Sequence, residues 1–158
     1  MTADADLAPK GAGGALYEPD GDPQGAAWVT WRLVRTQVFN EAFRDLQTLR
    51  DGDRATVRMQ PHAGMGNISG NLHGGAIMTL VDVAMFLGAQ ALGCRSALHG
   101  VTVDCNVQFV GGADLQRPVD VVVEISRETG QFLFMRGLVE QGGGAIASFM
   151  GMLKKARR

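Results

Sequence analysis

Apolar residues occupy every side of the stretch from Ala76 to Leu92, and this pattern predicts a long helix. No polar face is wide enough to meet solvent, so protein must surround such a helix. A loop with five glycines between Pro61 and Gly75 leads into it. The stretch is close to membrane length, but Asp82 lies near its centre, which favours a core helix over a membrane span.

After this helix the pattern changes to a period of two. Apolar and polar residues alternate from Val101 to Phe109, which predicts a strand. Further strands are predicted at Ala55–Met59, Val119–Ile125, Phe132–Glu140 and Ala145–Leu153, and short turns make the last three an antiparallel meander. One buried helix and about five strands predict an α+β fold in which a curved antiparallel sheet wraps around a central helix.

The N-terminal third is less regular. Apolar residues recur at roughly helical spacing from Trp28 to Leu49, which predicts one or two short helices. Residues 1–25 are rich in Ala, Gly, Asp and Pro without periodicity, so we expect a disordered or loosely attached arm there. Residues 26–158 are then a single domain, as a chain of 158 residues allows.

Composition removes several classes of function. The net charge is −1 and no basic stripe is present, which argues against nucleic-acid binding. The two cysteines form no CxxC or metal-ligand pattern, and the N-terminus lacks the features of a secretory signal, so we expect a soluble, cytoplasmic protein without a membrane partner. The histidines His62, His73 and His99 share no ligand spacing with a carboxylate, so no metal or cofactor is expected.

The candidate chemistry starts with Asp82, which is flanked by apolar residues in the predicted helix. An isolated buried carboxylate is costly, so it must be paired, protonated or part of a site. Taken alone, the pattern fits a hydrogen-bonded structural aspartate and a catalytic carboxylate equally well. No GxSxG motif or Ser-His-Asp arrangement offers a competing nucleophile.

The loop before the helix adds a second group of candidates. Gly74 and Gly75 open the helix, where N–H groups lack intrahelical acceptors and can polarise a carbonyl oxygen. Paired glycines also simply make a tight entry into a helix, which is their commoner meaning. His73 is more often a structural residue than a catalytic one in such a position, and Asn67 either holds a water or substrate oxygen or forms a turn.

Gly74 and Asp82 are eight residues apart, which is roughly 12 Å along a helix axis. At this distance the Gly74 N–H and the Asp82 carboxylate of one helix cannot both contact one carbonyl group. If they share a site, Asp82 must come from a second subunit whose helix packs antiparallel beside the first. We therefore expect a homodimer with two equivalent sites at its interface.

The segment Asn-Ile-Ser-Gly-Asn-Leu-His-Gly-Gly at residues 67–75, followed by Asp82, resembles the hot-dog-fold acyl-CoA thioesterases. The similarity is to the PaaI-like branch of the 4-hydroxybenzoyl-CoA thioesterase superfamily and covers about residues 40–153. It implies a hot-dog fold, hydrolysis of an acyl-CoA and assembly as a dimer of dimers. The chain departs from the family at Gly111-Gly112-Ala113, where Arg-Pro-Ala is common, so CoA contacts are not carried over.

The resemblance also implies roles for individual residues. Asp82 would act as nucleophile or as general base toward water, the Gly74 amide would polarise the thioester carbonyl, and Asn67 would hold the attacking water or the thioester. The implied supporting residues are His73, Gly75 and Thr102. Two alternatives keep the fold: a non-catalytic acyl-CoA sensor, disfavoured because residues 1–50 lack the charge of a DNA-binding segment, and a hydratase, disfavoured by the thioesterase-like position of Asp82.

Overall fold

The computed structural model describes residues 15–156. Within this range eight strands form one antiparallel sheet, in the order β1-β2-β3-β4-β6-β7-β8-β5. The strands are β1 Tyr17–Pro19, β2 Val29–Leu33, β3 Leu46–Asp51, β4 Arg54–Met59, β5 Val101–Phe109, β6 Val119–Glu128, β7 Phe132–Gln141 and β8 Gly144–Lys154. The α-helix α1 spans Gly74–Ala91, and short 3-10 helices lie at Phe39–Phe43, Ala63–Met65 and Arg95–Ala97.

Helix α1 lies against the inner face of the sheet, and the predicted hot-dog architecture is confirmed. Leu80, Val81, Ala84 and Leu87 on this helix are fully buried. Each large apolar side chain that is buried in this way contributes about 1.5–3 kcal/mol relative to an exposed one. In the part of the chain that the structure describes, α1 alone is long and apolar enough to cross a membrane, and its burial identifies it as a core helix.

Gly88 allows α1 to approach the sheet closely. A Cβ atom at this position would lie 2.9 Å from the Cβ of Val123 on β6. That distance is shorter than van der Waals contact, so only glycine fits without a shift of the helix or the strand. The close contact sets the depth at which α1, and with it Asp82, lies over the sheet.

The prediction of short helices between Trp28 and Leu49 is wrong for most of that segment. The structure has β2, one 3-10 helix at Phe39–Phe43 and β3 there. Trp31 and Leu46 are 0% exposed and lie opposite each other in the β2–β3 register, so pairing within the sheet buries them. Tertiary burial has overridden an apolar spacing that resembled a helix.

The expected N-terminal arm also differs in its described part. Residues 1–14 lie outside the described residues, but Tyr17–Pro19 form β1, which pairs antiparallel with β2. The Tyr17 hydroxyl donates a hydrogen bond of 2.9 Å to the Phe43 carbonyl, and its side chain is 3% exposed. This part of the chain belongs to the folded domain because one buried aromatic side chain and a strand pairing hold it there.

One side of α1 is not covered within a single chain. The sequence pattern predicts protein on every side of the helix, and one stripe along it is exposed or only half-buried in the single chain, so the protein that covers this stripe stays a prediction. This stripe consists of Gly75, Met78, Thr79, Asp82 and Phe86. The spacing of three to four residues places these side chains on one face of the helix.

Candidate active site

His73 is the N-cap of α1. Its backbone has φ −67° and ψ 137°, and its Nδ1 atom accepts a hydrogen bond of 2.9 Å from the Gly75 N–H. Because Nδ1 is the acceptor, this arrangement requires the neutral imidazole with its proton on Nε2. A Cβ atom on Gly75 would lie 3.0 Å from Nδ1, so glycine leaves room for the cap. The structural role favoured for His73 agrees with this geometry.

Gly74 is in a different situation from Gly75. A Cβ atom on Gly74 would lie 3.6 Å from the Phe109 ring, which is ordinary contact and does not require glycine. Its N–H makes no hydrogen bond within residues 15–156. The first N–H groups of a helix point away from it at the positive end of its dipole. Gly74 therefore presents a free donor with no side chain in front of it.

Asn67 lies in the loop that precedes this helix end. Its side-chain Oδ1 accepts hydrogen bonds from the backbone N–H groups of Ser69 at 2.9 Å and Asn71 at 3.1 Å. Gly70 within the same turn has φ +80°, a conformation that favours glycine. The Oδ1 atom thus forms the turn, while the Nδ2 group has no hydrogen-bond partner within the described range and remains available to a ligand.

Asp82 lies two turns along α1 and is half-buried. The Thr102 hydroxyl donates a hydrogen bond of 2.6 Å to its Oδ1. Simple alternation along β5 would place Thr102 with the polar, solvent-facing residues. A β-bulge between Thr102 and Asp104 shifts the register, so that Thr102 pairs with the buried Leu153 and faces the helix. The bulge is therefore what brings the hydroxyl to the carboxylate.

Cys105 follows the bulge and lies near the same carboxylate. Burial raises the pKa of its thiol above the ordinary value, and the negative charges of Asp82 and Asp104 raise it further. A thiol in this environment stays protonated near neutral pH and is a poor nucleophile. Asp82 is thus the more suitable group for attack or proton transfer in this part of the site.

The predicted site residues fall into two groups in one chain. Asn67, His73, Gly74 and Gly75 lie together at the start of α1, whereas Asp82 and Thr102 lie together near its middle. Gly74 and Asp82 are eight positions apart on one continuous helix, which separates the groups by roughly 12 Å. The two groups therefore do not meet within a single protomer.

A cleft with a volume of about 230 Å³ opens beside Asp82. Its lining includes Phe86 and Leu98, together with Tyr17 and Asn40 from the N-terminal part of the chain. The sequence offered no signal for Tyr17 or Asn40, since Tyr17 is positioned by the pairing of β1 with β2 and Asn40 by the 3-10 helix at Phe39–Phe43. A larger groove of about 540 Å³ lies on the outer face of the sheet and contains none of the candidate site residues.

No group of three or more His, Cys, Asp or Glu side chains within residues 15–156 is arranged to hold a metal ion. The acids and bases of the candidate site are the Asp82 carboxylate and the neutral His73, and the latter is occupied as a cap. Within residues 15–156, the polar groups of the site that remain for a ligand include the Gly74 N–H, the Asn67 Nδ2, the second oxygen of Asp82 and the Nε2 of His73.

A free helix N-terminus and a carboxylate on the central helix are groups that a thioester hydrolase of this fold can use. Residues 69–148 match the model of the thioesterase superfamily, and the chain belongs to that family. The matched range contains Gly74, Asp82 and Thr102. No curated protein sequence matches the chain.

Solved structures with the same fold agree with this assignment. The PaaI protein of the E. coli phenylacetic acid degradation operon is 19% identical, with 72% of this chain and 79% of that chain covered and a TM-score of 0.61. A hypothetical thioesterase from Streptococcus pneumoniae with coenzyme A is 20% identical, with 72% and 89% covered and a TM-score of 0.61. A Streptococcus mutans protein bound to acetyl CoA is 13% identical, with 79% and 98% covered and a TM-score of 0.64. At these identities the likeness shows the shared hot-dog fold.

Proposed function

We propose that this protein is an acyl-CoA thioesterase, which hydrolyses the thioester to a free carboxylic acid and CoA. The observation that carries the proposal is the pair of half-sites on α1: an unpaired Gly74 N–H at one end and the Thr102-held carboxylate of Asp82 two turns later. The CoA and acetyl CoA in the two streptococcal structures support the choice of an acyl-CoA as the thioester. Both cysteines are free, which suits a reducing compartment such as the cytoplasm.

In the proposed reaction the thioester carbonyl oxygen accepts a hydrogen bond from the Gly74 N–H, which stabilises the negative charge that develops there. Asp82, acting as general base, takes a proton from a water molecule, and the resulting hydroxide attacks the carbonyl carbon. The C–S bond then breaks, and the CoA thiolate takes up the proton. The free Nδ2 group of Asn67 is placed to donate to the attacking water or the thioester.

Asp82 can alternatively attack the carbonyl carbon itself, which gives a mixed anhydride that water hydrolyses. A single turnover in ¹⁸O-labelled water tests the second route. Label in the Asp82 carboxylate, located by peptide mass spectrometry, would establish attack by the carboxylate. Label in the released acid alone is expected for the general base and equally for an anhydride that water attacks at its acyl carbon, so only label in Asp82 decides between the routes.

We infer that the two halves of the site come from two chains, because roughly 12 Å of helix separates Gly74 from Asp82 within one chain. Strand β5 ends the sheet, and its apolar side chains Val101, Val103 and Phe109 are 59%, 49% and 48% exposed. A long apolar edge strand is prone to pair with another chain. We propose a two-fold dimer in which the β5 strands meet and the open stripes of two antiparallel α1 helices face each other, which brings Asp82 to Gly74 of the partner.

Subunit complementation tests this arrangement directly. Asp82→Asn and Gly74→Pro chains are each expected to be inactive as homodimers. In a heterodimer one site carries both changes and the other carries neither. Random mixing gives half heterodimers, so about a quarter of wild-type activity should return on co-expression. If the mixture stays as inactive as either parent, the site is not shared between subunits.

The outer face of the sheet is a candidate for further assembly into a dimer of dimers. Phe134, Leu138 and Met150 on this face are 40%, 45% and 64% exposed. Apolar patches of this kind commonly mark contact surfaces. We expect Leu138→Glu to convert a tetramer into an active dimer, as measured by light scattering and turnover. A wild-type protein that is already a dimer at high concentration would contradict the tetramer.

The function is tested by the release of CoA thiol from a panel of acyl-CoAs, followed with a thiol reagent. The panel runs from acetyl to palmitoyl and includes phenylacetyl and benzoyl. Release that disappears in Asp82→Ala supports the thioesterase. If no member is hydrolysed but acyl-CoAs still bind, the protein is a non-catalytic acyl-CoA sensor.

A further inference from the structure

The cleft beside Asp82 is lined in part by the N-terminal part of the chain. Leu16, Tyr17 and Asn40 form this part of the lining, here called the wall, and Val83, Phe86 and Leu98 contribute further apolar surface. The three wall residues precede the range that matches the family model, which begins at residue 69. The wall is therefore a feature of this chain outside the segment that carries the candidate catalytic groups.

The wall is held in place by several contacts. Tyr17 is 3% exposed and pairs with Leu33 in the β1–β2 register. Its hydroxyl donates to the Phe43 carbonyl at 2.9 Å and accepts from the Asn40 side-chain amide at 3.4 Å. Burial raises the pKa of this hydroxyl, so it remains a neutral donor. Moving the ring aside would break these interactions, so it acts as a fixed boundary.

The volume of the cleft sets the size of group that it can accept. About 230 Å³ corresponds to roughly seven water-sized groups, since a water molecule takes about 30 Å³ in the liquid. A methylene or aromatic CH group is of similar size. An acyl chain of about six to eight carbons, or a single ring, therefore matches the volume of the cleft.

We propose that the cleft is the acyl pocket and that Tyr17 is the specificity-determining residue that limits acyl length. This inference rests on the proposed thioesterase function. The thioester carbonyl lies at Asp82, and the acyl chain extends past Phe86 toward β1. Substrates with a short chain or one ring fit beneath the wall, and long-chain acyl-CoAs are excluded by the bulk of Tyr17 rather than by its hydroxyl.

The test compares kcat/KM for hexanoyl-CoA and dodecanoyl-CoA in four proteins. Tyr17→Ala is expected to raise the dodecanoyl-to-hexanoyl ratio about tenfold or more, because added pocket depth is worth that much per apolar group accommodated. Tyr17→Phe keeps the ring and should keep the wild-type ratio. Glu18→Ala, on the exposed side of the same strand, is the matched control and should also leave the ratio unchanged.

Leu16→Ala provides a second variant in case Tyr17→Ala does not fold. The Leu16 backbone carbonyl accepts from the Val34 N–H at 3.0 Å, and this bond survives the change of side chain. A smaller shift in the same direction is expected. A wild-type enzyme that turns over both substrates equally, or a folded Leu16→Ala or Tyr17→Ala protein with an unchanged ratio, would overturn the assignment.

Binding of non-hydrolysable S-hexyl-CoA and S-dodecyl-CoA thioethers, measured by calorimetry, separates this inference from the function on which it rests. Suppose that S-dodecyl-CoA binds more weakly than S-hexyl-CoA to the wild type but not to Tyr17→Ala, and that no acyl-CoA is hydrolysed. The pocket assignment is then supported and the proposed hydrolase function is not. If hydrolysis occurs but neither turnover nor binding depends on Tyr17, the function stands and the pocket assignment fails.

Discussion

Replacing Gly74 with proline removes one N–H group and therefore tests whether that group activates the thioester. Gly74 is the first residue of α1, and its N–H has no acceptor within residues 15–156, so no intrahelical hydrogen bond is lost. Proline is favoured at this position of a helix. The preceding residue His73, with φ −67° and ψ 137°, already has the extended conformation that a following proline requires.

The structure therefore predicts a large change in rate with a small change in stability. A Cβ atom at position 74 makes only ordinary contact with Phe109, at 3.6 Å, so the midpoint of thermal unfolding should move by no more than a few degrees. Loss of one hydrogen bond to a developing oxyanion costs about 2.7–4 kcal/mol, which is roughly a hundredfold to a thousandfold decrease in kcat.

The assay is CoA-thiol release from the preferred acyl-CoA, with kcat and KM determined separately. Gly74→Ala is the matched control, because it adds a Cβ atom but keeps the N–H, and it should lose less than about tenfold in kcat. Thioether binding checks that the proline ring still admits the ligand. A Gly74→Pro enzyme within about threefold of wild type, or a Gly74→Ala enzyme that is equally damaged, would refute the role of this amide.

Three further changes test the surroundings of the site. Thr102→Val removes the only hydroxyl that donates to Asp82 within the described residues. In steady-state kinetics it should lower kcat about tenfold with little change in KM, whereas Thr102→Ser should retain activity. Gly88→Ala should destabilise the fold by about 1–3 kcal/mol in chemical denaturation. Val123→Ala removes the two Cγ atoms at 3.0 Å but keeps the Cβ at 2.9 Å, so it should relieve part of that cost, and a double-mutant cycle without favourable coupling between the two changes would contradict the close-contact explanation. Burial and two carboxylates raise the pKa of Cys105, so its alkylation by iodoacetamide between about pH 8 and 9 should be slower than that of a free thiol. Asp82→Asn should lower this pKa and accelerate the alkylation, which peptide mass spectrometry follows. An unchanged rate in Asp82→Asn would show that the charge of Asp82 does not affect the thiol.

The local pattern of the sequence was sufficient for the elements that position the site. Unbroken apolar character predicted the central helix, and strict alternation predicted β5 with the bounds that the structure shows. These predictions succeeded because each pattern follows the geometry of a single element: apolar residues continue around a helix that is mostly buried, and side chains alternate between the two faces of a strand. The segment from Asn67 to Asp82 was also sufficient to indicate the thioesterase family, since its residues are contiguous in the chain.

Contacts between distant parts of the chain decided the rest. Three features depend on pairing with residues far away in sequence. They are the bulge that turns Thr102 toward Asp82, the position of Tyr17 beside the cleft, and the strands in an N-terminal segment whose apolar spacing resembles a helix. The sequence alone does not distinguish the two glycines at the start of α1. In the folded structure Gly75 makes room for the His73 cap, whereas Gly74 leaves an N–H donor free. The sequence by itself determined which chemical groups lie on the central helix, and tertiary structure decided where those groups point, because direction is set by packing partners that local periodicity does not encode.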